Sequence, residues 1–159
     1  MDTEYQDLIA MNKKFSILHA DHPGHLSHRK MLERIGCMQE ELSELANAAS
    51  HDDLAGVADA LVDLVVFAKG TAVMLGLPWQ ELWDDVMRAN MAKERGVGKR
   101  GHAVDLVKTE GWVGPRTGKV LEAVGYDVDA WVNTDGLIDG RDDDSVALAD
   151  EEMVYEAKR

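Results

Sequence analysis

The sequence predicts an all-α protein: an antiparallel bundle of about four main helices, followed by a loop-rich C-terminal extension. Residues 1–95 are rich in helix-forming residues and contain only five glycines. Apolar residues in this part recur three and four positions apart, which is the period of one helix face. The breaks between the periodic stretches are short, and short connections place successive helices side by side in opposite directions.

The first two helices are predicted from apolar periodicity and from their starts. The first covers about 3–20, and its apolar residues share one face: Leu8, Met11, Phe15 and Leu18. The stretch "ADHPGHLS" then interrupts the pattern, and Ser27 is a good N-cap for a second helix over about 28–50. That second helix has a regular apolar seam, formed by Met31, Ile35, Met38, Leu42, Leu45 and Ala49.

The third and fourth helices follow after short breaks. The third covers about 53–75 and ends near Gly76, and it is apolar nearly all round. Such a composition is typical of a central, buried helix. The fourth begins at Pro78, since proline is well tolerated in the first turn, and Gly96 is its predicted end.

Composition limits the class of protein. A chain of 159 residues is long enough for one domain with a real core. The net charge of -13 argues against nucleic acid or an anionic membrane as the main partner. A single cysteine, Cys37, excludes an intramolecular disulfide and favours a reducing cytoplasm. The N-terminus lacks the apolar core of a signal peptide, and no run is long enough for a membrane span.

Three segments differ in composition. Residues 1–95 form the predicted catalytic helical bundle. Residues 96–126 are rich in glycine and carry five Lys or Arg against three Asp or Glu, so they are predicted to be a basic loop segment that could cover a nucleotide. Residues 127–159 carry eleven acidic residues against three basic ones, and about 145–158 could form a short helix.

Two pairs of acidic residues on successive helices point to a metal site. Glu41 and Glu44 are three positions apart on the second helix and lie off its apolar seam, whereas Glu40 points elsewhere. On the third helix, Asp59 and Asp63 are four positions apart on an apolar side, where ionised carboxylates are costly unless they are paired or bind metal. Mg²⁺ prefers oxygen ligands and often binds carboxylates together with phosphates.

Each of these features also has a simpler interpretation. The glutamates alone could be the solvated face of a helix, and the aspartates could form buried salt bridges. On the fourth helix, Asn90 and Lys93 continue a stripe that begins with apolar residues. They could bind phosphate, or the end of the helix could simply emerge into water. The two acidic pairs together favour the metal site.

These residues resemble the all-α nucleoside triphosphate pyrophosphohydrolases, the MazG-like group. The stretch "EELSE" matches the E-E-x-x-E motif of that family, and "DALVD" stands where E-x-x-D is expected. Asp63 matches the final Asp, but Ala60 occupies the place of the glutamate, so Asp59 is the obvious stand-in. The N-x-x-K at Asn90 and the segment "VKTEGWVGP", residues 107–115, resemble compact phage-type members.

The resemblance implies an enzyme that hydrolyses a nucleoside triphosphate to the monophosphate and pyrophosphate, with guanine nucleotides such as dGTP as the first expectation. Glu41, Glu44 and Asp63 would be catalytic, and the same three with Asp59 would hold Mg²⁺, for which Mn²⁺ would substitute. Glu41 is the candidate general base. The implied assembly is a homodimer or homotetramer. The expected location is the cytoplasm, which for a phage-encoded protein would be the cytoplasm of the host cell.

The predicted nucleotide-binding residues are less closely tied to a motif. They are Asn90, Lys93, Lys108, Trp112 and Arg29. Trp112 could stack on a base, or it could anchor an otherwise solvated loop. Two alternatives to the main function stay open: a phosphoribosyl-ATP pyrophosphohydrolase, which would share the fold and the metal, and a noncatalytic helical interaction protein that binds a structural cation.

Overall fold

The computed structural model describes residues 3–96, 105–127, 129 and 132. In this part of the chain, helices predominate and the only sheet is a pair of short strands. This architecture confirms the all-α prediction. In chain order the elements are α1 Thr3–Lys14, α2 His28–Ser50, α3 Leu54–Met74, α4 Trp79–Met91, β1 Glu94–Gly96, β2 Asp105–Val107 and α5 Thr117–Ala123.

The long helices α2 and α3 begin at side-chain caps. The Ser27 hydroxyl accepts a hydrogen bond from the backbone N–H of Lys30 at 3.2 Å, as its position before the helix predicts. Asp53 caps α3 in the same way, because its carboxylate accepts from the N–H of Gly56 at 3.0 Å. With both helix starts fixed, a connection of three residues turns the chain back, and α2 and α3 form the most extensive helix pair of the fold.

Two predicted helix ends are wrong. The first helix ends at Lys14 rather than near residue 20, since Ser16 adopts a φ of 55° and the buried Asn12 amide donates to the carbonyl of Leu18 at 2.8 Å. The fourth helix ends at Met91 rather than at Gly96. The chain instead forms β1 at Glu94–Gly96. This strand pairs antiparallel with β2, so that Gly96 lies opposite Asp105.

The core lies around the C-terminal half of α3. Leu18, Leu26 and Met74 form a buried cluster, against which Met31, Leu75 and Val132 pack. The connection between α1 and α2 crosses the end of α3 and is bonded to it, with the N–H of Ala20 donating to Val73 and that of Gly24 to Leu75. Gly76 permits this crossing, because its φ is +64° and a Cβ there would lie 2.2 Å from the carbonyl oxygen of His22.

The N-terminal half of α3 departs from the expectation of a fully buried helix. Leu54 is 79% exposed, Val62 61%, Leu61 47% and Val65 46%. The bonds given by α1 to α3 lie on its second half: Glu4 pairs with Lys69 and the Tyr5 hydroxyl lies 3.4 Å from the carbonyl oxygen of Ala72. The first half therefore packs against α2 and leaves an apolar stripe uncovered.

Several predicted features lie outside the described residues. They are the possible helix over 145–158, nearly all of the acidic tail, and the stretch 97–104 with its two basic residues. Among the described helices, none combines the length and the apolar character that crossing a bilayer requires.

Candidate functional site

Glu41 lies at the centre of a group of acidic residues between α2 and α3. Its Oε2 atom is buried and has no hydrogen-bond partner among the residues that the structure describes. Burial raises the pKa of the Glu41 carboxyl above its ordinary value, and the negative charges of Glu44 and Asp63 add to this, followed by those of Glu40 and Asp59. The fold therefore brings the four predicted metal ligands within electrostatic range of one another. We call Glu41, Glu44, Asp59 and Asp63 the carboxylate group.

Members of the carboxylate group differ in exposure. Glu41 and Asp63 are partly buried, whereas Glu44 and Asp59 are exposed. The expectation that both aspartates lie in a buried place is thus wrong for Asp59, which belongs to the half of α3 that α1 does not cover. Ala60, at the position of the family glutamate, is only 3% exposed and has no side chain that could bind a cation.

The carboxylate group fits a divalent cation by the chemistry of its donors. None of its four members forms a salt bridge with a lysine or arginine in the part of the chain that the structure describes. Lys69, the only base on α3, pairs with Glu4 at 3.0 Å instead. A buried carboxylate oxygen without a partner, surrounded by further acids, is the environment in which a hard cation is favourable.

The side chains are not gathered into a finished coordination shell. Among the residues in 3–96 and 105–132 that are described, no three His, Cys, Asp or Glu side chains are arranged to hold a metal ion. Carboxylates of like charge repel one another, and they come together around a cation that neutralises them. The assignment of each ligand therefore stays a prediction.

Glu44 and Glu40 also share a surface. Both line an open hollow of about 460 Å³ along α2, together with Gly36, Gln39 and Ser43. One helix alone forms this hollow, so it does not enclose a ligand. Glu40 and Glu44 thus share one surface of α2, whereas the sequence pattern separated Glu40 from Glu44.

Four of the five predicted nucleotide-binding residues lie together at the end of α4. The Lys93 Nζ donates to the Asn90 amide oxygen at 2.8 Å and lies 5.6 Å from the centre of the Trp112 ring. Lys108 Nζ is 4.5 Å from the same ring. The Trp112 indole N–H donates to the carbonyl of Ala89 at 2.7 Å. Trp112 therefore anchors its loop to α4 and carries two ammonium groups against its ring.

Arg29, the fifth predicted nucleotide-binding residue, lies at the start of α2. Its Nε donates to the carboxylate of Glu33 at 3.1 Å on the exposed side of the helix. Lys30 reaches the same carboxylate at 2.7 Å. The structure thus places Arg29 in an ion pair along α2, in a different part of the fold from the cluster around Trp112.

Sequence reasoning missed Asp85, which holds the segment before α5 against α4. Asp85 is only 8% exposed, and its carboxylate accepts from the backbone N–H of Arg116 and from Arg88 Nε and Nη2, the last at 2.8 Å. These bonds hold the pKa of Asp85 below its ordinary value. Arg88 also donates to the carbonyl of Gly114 at 3.0 Å. The i,i+3 spacing of Asp85 and Arg88 was the available signal.

Comparison with protein families identifies the chain at the level of the family. The model of the phosphoribosyl-ATP pyrophosphohydrolase family (PRA-PH) matches residues 10–90, just over half of the 159 residues. A search among curated proteins finds no match. The family includes the MazG-like all-α pyrophosphohydrolases, which are the group that the sequence motifs of this chain resemble. Its members act on acid anhydrides. The chain therefore belongs to the phosphoribosyl-ATP pyrophosphohydrolase family and is a nucleotide pyrophosphohydrolase.

Proposed function

We propose that the protein hydrolyses a nucleoside or deoxynucleoside triphosphate between the α- and β-phosphates, with Mg²⁺ held by the carboxylate group. The observation that carries this proposal is the buried, unpartnered Oε2 of Glu41 among four further acids. A triphosphate is strongly negative, so a site made of carboxylates can accept it only through cations. Bound Mg²⁺ would supply that charge neutralisation and would lower the pKa of the attacking water.

Each residue of the carboxylate group has a proposed role. Glu44, Asp63 and Asp59 would hold the cation, with Asp59 replacing the glutamate that Ala60 lacks. Glu41 would also hold it and, through its raised pKa, would be well suited to take the proton of the attacking water. The Glu41 carboxylate cannot bind the anionic substrate directly, because its negative charge would repel the phosphates.

The cluster around Trp112 is the proposed place for the remainder of the nucleotide. Lys93 and Lys108 would contact phosphate as point charges, and Asn90 would orient Lys93 through the bond already present. A base could stack on Trp112 only by displacing an ammonium group from its ring. Arg29 stays a weaker proposal, since its side chain is engaged by Glu33.

The substrate decides between two related activities. We propose dNTPs, with dGTP tested first. Phosphoribosyl-ATP is the second candidate because the matching family model is named for it. The test is a panel of all common NTPs and dNTPs plus phosphoribosyl-ATP, with Mg²⁺ or Mn²⁺, scored separately for pyrophosphate and orthophosphate. Pyrophosphate release from at least one member is expected. If every substrate stays intact with both metals, the proposal fails.

Two substitutions test the carboxylate group itself. Glu44→Gln and Asp63→Asn remove one negative oxygen each without changing side-chain size, and each is expected to lower kcat roughly a hundredfold or more while the fold is kept. Glu33→Gln is the matched control, since Glu33 lies on the same helix and pairs with Arg29 and Lys30. Normal activity in either site variant would remove that residue from the site.

We also propose that the protein assembles as a homodimer or as a tetramer of such pairs. The support is the uncovered apolar stripe on α3, formed by Leu54, Leu61, Val62 and Val65. Exposed apolar patches of this kind mark interaction surfaces. A second copy is the proposed occupant because the stripe lies on the same half of α3 as Asp59 and Asp63 but on the other side of the helix, so that a partner there would hold this half of α3 in place behind the carboxylate group.

A further inference from the structure

The seam between α2 and α3 has a repeating register that includes more than the carboxylate group. A Cβ on Gly56 would lie 3.0 Å from the Cβ of Ala48. Glu41 faces the charge of Asp63, and a Cβ on Gly70 would lie 3.3 Å from the Nη2 of Arg34. These three pairs are seven residues apart on both helices. They therefore form successive layers about 10 Å apart along the seam.

Arg34 is held in its layer by fixed contacts with α3. Its Nε donates to the Thr71 hydroxyl at 3.0 Å and its Nη2 donates to the Phe67 carbonyl at 3.1 Å. The guanidinium carbon lies 4.9 Å from the centre of the Phe67 ring. Thr71 itself is only 7% exposed and donates to the same Phe67 carbonyl at 2.8 Å. Two residues of α3, Phe67 and Thr71, thus fix the orientation of one guanidinium group.

The charge of Arg34 has no acidic partner in the described part of the chain. Burial lowers the pKa of the guanidinium, so the protein keeps this charge at a cost. Its hydrogen bonds use Nε and one Nη2 proton, which leaves three of the five N–H donors of the planar fork for a ligand. Arg34 and Phe67 are both partly exposed, so a ligand can reach them.

Gly70 supports a functional rather than a merely structural explanation. Glycine weakens the interior of a helix relative to alanine, yet it lies in the buried half of α3. A Cβ at this position would crowd Arg34 Nη2, which would be only 3.3 Å away. The sequence thus accepts a weaker helix at the position where the guanidinium needs room.

We propose that Arg34 binds the γ-phosphate of the substrate and holds the departing pyrophosphate. This assignment rests on the proposed function. The carboxylate group would bind the phosphates through its cation, and Arg34, one layer away, would bind the far end directly through its planar fork, which matches phosphate oxygens. Arg34 would therefore select triphosphates over shorter nucleotides.

Pyrophosphate binding tests this assignment apart from turnover. Calorimetry with pyrophosphate in the presence of Mg²⁺ is performed on the wild type, Arg34→Gln and Lys30→Gln, the last being a control that removes a positive charge one helical turn away. Arg34→Gln is expected to weaken pyrophosphate binding roughly tenfold or more, since hydrogen bonds to charged groups contribute that much. Lys30→Gln is expected to bind like the wild type. KM for the triphosphate should rise with Arg34→Gln, while the rate on a diphosphate should change little.

The outcomes separate the two proposals. If the wild type releases pyrophosphate from a triphosphate and folded Arg34→Gln still binds pyrophosphate as tightly as the wild type, Arg34 only ties α2 to α3 and the assignment is overturned. If Arg34→Gln fails to fold, Arg34→Lys keeps the charge but loses the fork, and weaker pyrophosphate binding by that variant is the supporting result. Unchanged binding by Arg34→Lys would then overturn the assignment. If the wild type neither hydrolyses any nucleotide nor binds pyrophosphate, both proposals fail together.

Discussion

Glu41 is the residue whose ionisation should couple the site to stability. Its raised pKa means that the folded state disfavours the carboxylate relative to the unfolded chain. This penalty is absent below the unfolded pKa and develops as the pH rises through the folded pKa. We expect Glu41→Gln to raise the Tm of the metal-free protein at neutral pH and to leave it nearly unchanged in acid. Calorimetric scans across this pH range measure the difference.

A divalent cation should reverse the order of the two Tm values, so that the wild type becomes more stable than Glu41→Gln. Mg²⁺ that binds the folded state stabilises it by mass action, so it should raise the Tm of the wild type but not that of Glu41→Gln. Glu40→Gln is the matched control, since Glu40 is the neighbouring residue and is exposed. It should keep most of the response to Mg²⁺. A wild type whose Tm ignores Mg²⁺ and Mn²⁺ would contradict the assignment of Glu41 as a ligand.

At the scale of elements, Asp85 fastens the segment before α5 to α4. Its carboxylate accepts bonds from the Arg116 backbone and from the Arg88 side chain, and its pKa is lowered by them. We expect Asp85→Asn to lower the Tm by several degrees and to expose the segment around Trp112 to limited proteolysis, which is followed by mass spectrometry. The lowered pKa places this stabilising effect above the unfolded pKa of Asp85, and it is lost as the pH falls through the folded pKa.

The loss of stability caused by Asp85→Asn should therefore depend on pH. The gap in Tm between the wild type and Asp85→Asn should be widest near neutrality and should close in acid. Asp84→Asn is the neighbouring control, because the Asp84 carboxylate is exposed and, within the described part of the chain, accepts a hydrogen bond from Gln80 of the same helix. An equal loss of stability in both variants would show that the effect comes from α4 itself rather than from its contact with the later segment.

The sequence predicted those elements whose ends depend on local chemistry. The starts of α2 and α3 follow from Ser27 and the Asp53 region, since a cap bonds to residues only three positions away. The ends of α1 and α4 depend instead on contacts that the pattern does not contain. Asn12 binds Leu18 in a turn, and Gly96 pairs with Asp105 of β2. The apolar periodicity of the sequence continues past the ends of α1 and α4, so it does not indicate where either helix ends.

The candidate site could be predicted in part for the same reason. Glu41 and Asp63 are recognisable from their spacing on each helix, but their meeting depends on the register of α2 against α3. That register is fixed elsewhere, where Ala48 approaches Gly56 and Arg34 lies beside Gly70. Arg34 itself was overlooked because it lies two turns before Glu41, outside the motif. The exposure of Asp59 depends on which elements pack against the first half of α3, and the sequence pattern does not contain that information.

At the scale of the whole molecule, the apolar stripe on α3 is the proposed interface of the homodimer. Leu61 is 47% exposed and Val65 46%, and they lie on one side of the helix. A charge placed there would be buried without a partner in an assembly, so Leu61→Asp is expected to turn a dimer into a monomer. Light scattering coupled to size-exclusion chromatography measures the mass. Phe15→Asp is the control, since Phe15 is 61% exposed but lies outside the stripe.

Activity should follow assembly if the second copy holds in place the half of α3 that carries Asp59 and Asp63. Leu61→Asp should then lower kcat at protein concentrations where the wild type is dimeric, whereas Phe15→Asp should keep both mass and activity. A wild type that elutes as a monomer at every concentration, or a monomeric Leu61→Asp with full activity, would contradict the role of the stripe in the site.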